Sequence, residues 1–108
     1  MKRKEFQRYI DRDQSCPCGC NSTDTLVPQH RVNRGMGGSK LLDRPANIIV
    51  LCSLMNGLIE SDARAAQLAR QYGWKLDRTQ KPEDHPVLYR ATNEWFFLDN
   101  DFQRIKKG

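Results

Sequence analysis

Apolar residues first recur at Phe6, Tyr9 and Ile10, the i, i+3, i+4 spacing of one helical face, and predict a short amphipathic helix over 2–12 with a basic outer side. Pro17, Gly19, Asn21 and Ser22 then break the chain into a turn. "TLVPQHRV" (25–32) reads as a strand carrying His30 near its end, with Pro28 placing it at an edge or a bulge. Residues 33–46 form a glycine-rich loop closed by Arg44-Pro45. "NIIVLC" (47–52) is continuously apolar and β-branched, the pattern of a buried strand. A helix from about Ser53 follows, with Leu54, Leu58 and Ile59 on one side and Asn56 and Glu60, four apart, sharing another. Ser61 and Asp62 read as the N-cap region of a further helix ending near Gly73. After a polar linker (77–86), which holds His85 as a loop residue, a C-terminal hairpin is expected over 87–98. Its turn is Ala91-Thr92-Asn93, and Trp74, Trp95, Phe96 and Phe97 pack it on the helices. The sum is a single α+β domain spanning 1–108.

Composition sharpens this picture in two places. With 38% hydrophobic residues and a mean hydropathy of -0.76, the core must be small, and a chain this lean often needs a staple such as a metal. No apolar run approaches membrane-spanning length and the charged N-terminus leads into no signal-like segment. The expectation is a soluble, cytoplasmic protein without a membrane partner. The net charge of +5 is concentrated. Residues 1–12 hold five basic and two acidic side chains, and 31–44 set Arg31, Arg34, Lys40 and Arg44 against Asp43 alone. Excess charge beside a glycine loop is what a polyanion such as DNA selects, with Arg31 or Arg34 gripping a phosphate bidentately. A solvated basic surface is the plainer alternative.

Four cysteines, Cys16, Cys18, Cys20 and Cys52, stand in a chain with no sign of export. Clustered thiols in a reducing compartment point to zinc more than to disulfides. C-x-C-x-C is not the usual C-x-x-C, so zinc on Cys16, Cys52 and one or both of the others stands beside a second reading. In that reading Cys52 is a small buried hydrophobe and the cysteine knuckle a plain turn.

The order of His30, loop, Asn47, short strand and helix with Asn56 and Glu60 resembles the HNH endonucleases. The matching stretch is "LVPQHRVNRGMGG" through "RPANIIVLCSLMNGLIES", with the knuckle upstream. Together they cover about 13–62, and the flanking text is most similar to small phage-encoded members. The resemblance implies a ββα-metal (His-Me finger) core and hydrolysis of DNA phosphodiester bonds to 5′-phosphate and 3′-hydroxyl ends. It implies His30 as general base, since imidazole takes up a proton near neutral pH, and Asn47 as the residue that bonds backbone across the loop so that His30 points correctly. Asn56 would be a ligand of Mg²⁺ or Mn²⁺, with Glu60 adding a carboxylate and Gln29 standing where relatives place a further ligand.

Two positions depart from the family pattern. Gln29 replaces an acidic residue or histidine, and the second half of the usual knuckle reads Cys52-Ser53-Leu54-Met55. They motivate a second expectation, a catalytically degenerate HNH fold that only binds DNA. A third is a phage or mobile-element factor that engages a host protein through its Trp- and Phe-rich C-terminal part.

Overall fold

The computed structural model describes residues 1–33 and 40–107. It is a small α+β domain with three helices and two small antiparallel sheets. Helix α1 (Arg3–Asp13) is followed by the cysteine knuckle and by strand β1 (Leu26–His30). A short 3-10 turn at Pro45–Asn47 leads into β2 (Ile48–Cys52), and α2 (Ser53–Ser61) begins at the next residue. Helix α3 (Ala63–Gln71), strands β3 (Val87–Tyr89) and β4 (Glu94–Leu98), and strand β5 (Arg104–Lys106) complete the chain.

β1 and β2 pair antiparallel from Leu26 opposite Cys52 to His30 opposite Ile48. All five β2 residues are buried, because its two faces are covered by different elements. Ile48 and Val50 pack with Tyr9 on the α1 side. Ile49 and Leu51 join Ile59, Ala69, Trp74, Val87 and Leu98 on the other. This double burial explains why the strand reads as an unbroken apolar run rather than an alternating one. Asp62 both ends α2 and caps α3, its carboxylate accepting from the Arg64 N–H. Gly73 has φ +77°, and a Cβ there would lie 2.0 Å from the Pro86 carbonyl oxygen, so only glycine lets α3 end against that loop.

The structure amends two sequence expectations. The C-terminal hairpin is a three-stranded sheet, since β5 adds to β4 from Phe96 opposite Lys106 to Leu98 opposite Arg104. The outer face of α1 is basic only to its last turn. There Arg12 and Asp13 are buried and paired at 2.8 Å, with Asp13 also accepting from Tyr89 Oη and Val50 N. This network fastens α1 to β2 and to the second sheet, and it leaves no buried charge unsatisfied. No helix among the described residues is long and apolar enough to cross a membrane.

Candidate functional site

The four cysteine sulfurs lie within 4.8 Å of one another. They are the one grouping of three or more histidine, cysteine, aspartate or glutamate side chains among the described residues close enough to share an ion. The knuckle contributes three, and Cys52, at the junction of β2 and α2, contributes the fourth. None is in a disulfide. Cys18 Sγ is 3.7 Å from Cys52 Sγ and 3.2 Å from Cys16 Sγ. Four thiolates around a tetrahedral zinc at about 2.3 Å would be about 3.8 Å apart, so the cluster needs only small adjustments to close on an ion. Backbone N–H groups of Cys52, Met55 and Ser22 donate to the sulfurs of Cys16, Cys52 and Cys20, as suits sulfur carrying negative charge. Burial raises the Cys16 thiol strongly and pushes Cys18 up to about 11, so their thiolates need a cation beside them. The donor set fits a metal ion, and the broken C-x-x-C is made good by the third knuckle thiol.

A second constellation lies at the far end of β1. His30 Nε2 is 2.7 Å from Asp43 Oδ1. A carboxylate only accepts, so in a neutral imidazole this contact would place the proton on Nε2 and the lone pair on Nδ1. Both side chains line a cavity of about 370 Å³ with Met1, Glu5, Pro28 and Ile48, between β1 and the start of α1. Behind them Asn47 is fully buried. Its Oδ1 accepts from Val32 N, and its Nδ2 donates to the carbonyls of Val32 and Leu42, tying the two sides of the intervening segment together.

Strand alternation turns the neighbouring side chain the other way. Gln29 faces α2, where its Oε1 accepts from Asn56 Nδ2 at 2.5 Å while its own Nε2 donates to the His30 carbonyl. Two expected metal ligands are therefore bonded to each other. Glu60, one turn along α2, is exposed. Gln29 Oε1 is committed to Asn56, which leaves the Asn56 carbonyl oxygen and the Glu60 carboxylate as hard oxygen donors on α2. An amide oxygen and a carboxylate are donors of the hard kind that Mg²⁺ or Mn²⁺ takes, with one negative charge between them.

Arg31 corrects the sequence reading. Expected to grip a phosphate, it is completely enclosed, and its guanidinium donates to the backbone carbonyls of Gly73, Ala46, Pro82 and His85. Burial lowers its pKa to about 10. It is an internal bracket joining three segments of chain. Arg44, from the same basic stretch, is engaged by Glu83. Arg34 and the glycine loop lie outside the described residues. Sequence reasoning missed Asp43, although its being the one acidic residue among 31–44 was a usable signal. His85 is half-buried at the end of the 3-10 turn Pro82–Asp84, in the loop where it was expected.

Comparison of the chain with protein-family models, with curated proteins and with solved structures gives no match.

Proposed function

We propose that the protein is a nuclease that hydrolyses DNA phosphodiester bonds with His30 as general base. One observation carries the reading: a histidine at a strand end whose Nε2 is held by a carboxylate, on a segment that a buried asparagine ties across itself. Nδ1 of His30 takes the proton of an attacking water, and Asp43 keeps the ring in the tautomer that can do so and steadies the imidazolium that forms. Asn47 holds the segment that carries Asp43 against the end of β1. β1 has β2 on one edge only, so a phosphodiester lying over its end can meet both His30 and the α2 side. The exposed Lys2, Arg3 and Lys4, next to Met1 and Glu5 at the mouth of the His30 cavity, supply attraction for the DNA backbone in place of Arg31.

Asn56 and Glu60 would hold the divalent cation, which when bound neutralises charge developing on the phosphate and the leaving oxygen. The four cysteines would hold a structural Zn²⁺ that pins the knuckle to the start of α2. The Gln29–Asn56 bond favours a second reading, a fold that has kept DNA binding and lost turnover.

Plasmid nicking by wild type and His30→Ala across Mg²⁺, Mn²⁺ and chelator tests the first reading. Metal-dependent nicking that His30→Ala abolishes is expected. Absence of cleavage with any metal, together with salt-sensitive DNA binding that His30→Ala leaves intact, would overturn it in favour of the second.

A further inference from the structure

We infer that Glu83, on the 3-10 turn Pro82–Asp84 far outside the strand–strand–helix region, is the positioning residue for the His30–Asp43 pair. The inference rests on the nuclease reading for its catalytic consequence, but not for its structural content.

Asp43 meets His30 with a side chain that is 38% exposed, so the placing of its backbone decides where the carboxylate points. Three hydrogen bonds among the described residues tie down the segment that carries it. Asn47 Nδ2 holds the Leu42 carbonyl, Arg44 Nη1 donates to the Leu41 carbonyl, and the Ala46 N–H donates to Asn100 Oδ1. The last two fixings converge on one carboxylate. Arg44 Nε and Nη2 meet Glu83 Oε2 and Oε1 at 2.6 and 2.9 Å, a bidentate pair, while Asn100 Nδ2 donates to Glu83 Oε2 at 2.9 Å. Glu83 thus holds both the arginine that folds back on Leu41 and the asparagine that anchors Ala46, and Asp43 lies between those points. A bidentate guanidinium–carboxylate contact fixes orientation as well as distance, which a single lysine bond would not. The Arg44 hydrogen bonds hold the Glu83 carboxyl down at about 2, so the latch stays charged throughout the neutral range.

A residue that merely stabilised the fold would affect melting without touching the imidazole. A positioning residue changes what His30 Nε2 sees. The chain has two histidines, so their ring nitrogens can be followed individually by ¹⁵N NMR at a fixed pH of about 8, where an unpaired imidazole is neutral. Asp43→Ala defines the His30 signals when the carboxylate is gone. Glu83→Gln, which keeps the shape and removes the charge, is expected to move the His30 signals toward those of Asp43→Ala. Its nicking kcat should fall on the order of tenfold to a hundredfold with KM retained, and Glu83→Asp should recover part of both. Asn100→Ala, which spares the arginine pair, is the second variant should Glu83→Gln unfold, and a smaller shift in the same direction is expected. His30 signals that stay at their wild-type position in folded Glu83→Gln or Asn100→Ala would overturn the inference, as would Asp43→Ala leaving them unmoved. Signals that move as expected in a protein that cleaves no DNA would uphold the positioning role and remove the nuclease reading.

Discussion

Asn56 Nδ2 donates to Gln29 Oε1 across 2.5 Å, joining the first half of α2 to β1 through two neutral amides. The Asn56 amide N–H and the Gln29 amide oxygen satisfy each other, so Gln29 is not compelled to recruit a cation. A carboxylate at position 29 would change that balance, since Gln29 is only 8% exposed and a charge there needs a partner. Gln29→Asp is therefore expected to lower the melting temperature in chelator and to regain it on adding Mn²⁺. Metal titration should show affinity tightened about tenfold or more, with nicking saturating at lower metal. An equal melting temperature with and without Mn²⁺ would remove the α2 metal site.

The cysteine cluster makes a separate claim. Protein purified without chelator is expected to carry one zinc per chain by mass spectrometry, and its removal to lower the melting temperature. Cys16→Ser and Cys52→Ser, at buried thiols, should abolish retention, whereas Cys20→Ser, at the exposed thiol, should weaken it least. Metal-free protein with an unchanged melting temperature would return the knuckle to being a plain turn.

Arg31 is expected to be among the most sensitive positions for stability and among the least informative for binding. Arg31→Met strands carbonyls at Gly73, Ala46, Pro82 and His85 that now share one guanidinium. The cost should be on the order of 3 kcal/mol or more in urea unfolding. Arg31→Lys should recover little, because one ammonium cannot reach the same four acceptors. The salt dependence of DNA binding should not change in whatever fraction remains folded. A loss of one phosphate's worth of salt slope in a stable variant would contradict the burial.

Acid should open the Arg44–Glu83 latch. Hydrogen bonding from Arg44 holds Glu83 at about 2 in the folded chain, below the ordinary glutamate value of 4.5. A carboxyl depressed on folding contributes stability that is complete above its unfolded value and is lost as pH falls through the folded one. The contribution should therefore fade between about pH 4.5 and pH 2. Urea unfolding across that window should show a shallower pH slope for Glu83→Gln than for wild type, and identical slopes would mean that Glu83 titrates as a free surface carboxyl.

The sequence made the local elements readable and the long-range partnerships opaque. "IIVLC" is β2 because a strand covered on both faces has no polar position to offer, and Asp62 is a cap because its carboxylate acts within two residues. Asn47 bridges Val32 and Leu42 through its side-chain amide, a contact that spans ten residues of chain. Arg31 went the other way. An arginine after a strand normally faces water, and its burial depends on carbonyls 15 to 54 residues away that no local pattern announces. The partners of Asp43 and Glu83 were hidden for the same reason. The former finds His30 thirteen residues back, and the latter finds Arg44 across 39. Whether one or both of Cys18 and Cys20 join Cys16 and Cys52 stayed open in the sequence, because spacing along the chain says nothing of where Cys52 arrives.

That arrival divides the four thiols into a local set and a distant one. Cys16, Cys18 and Cys20 sit within one short turn, whereas Cys52 reaches Cys18 from 34 residues along, at the end of the strand that pairs with β1. A chain that has not yet folded already presents three thiols at close quarters, enough to capture an ion. Folding then adds a single donor. An ion bound there stabilises the native state only by what the fourth thiol adds, because the loose chain competes for it with the other three. The knuckle is a waiting ligand, and the β2–α2 junction is what it waits for.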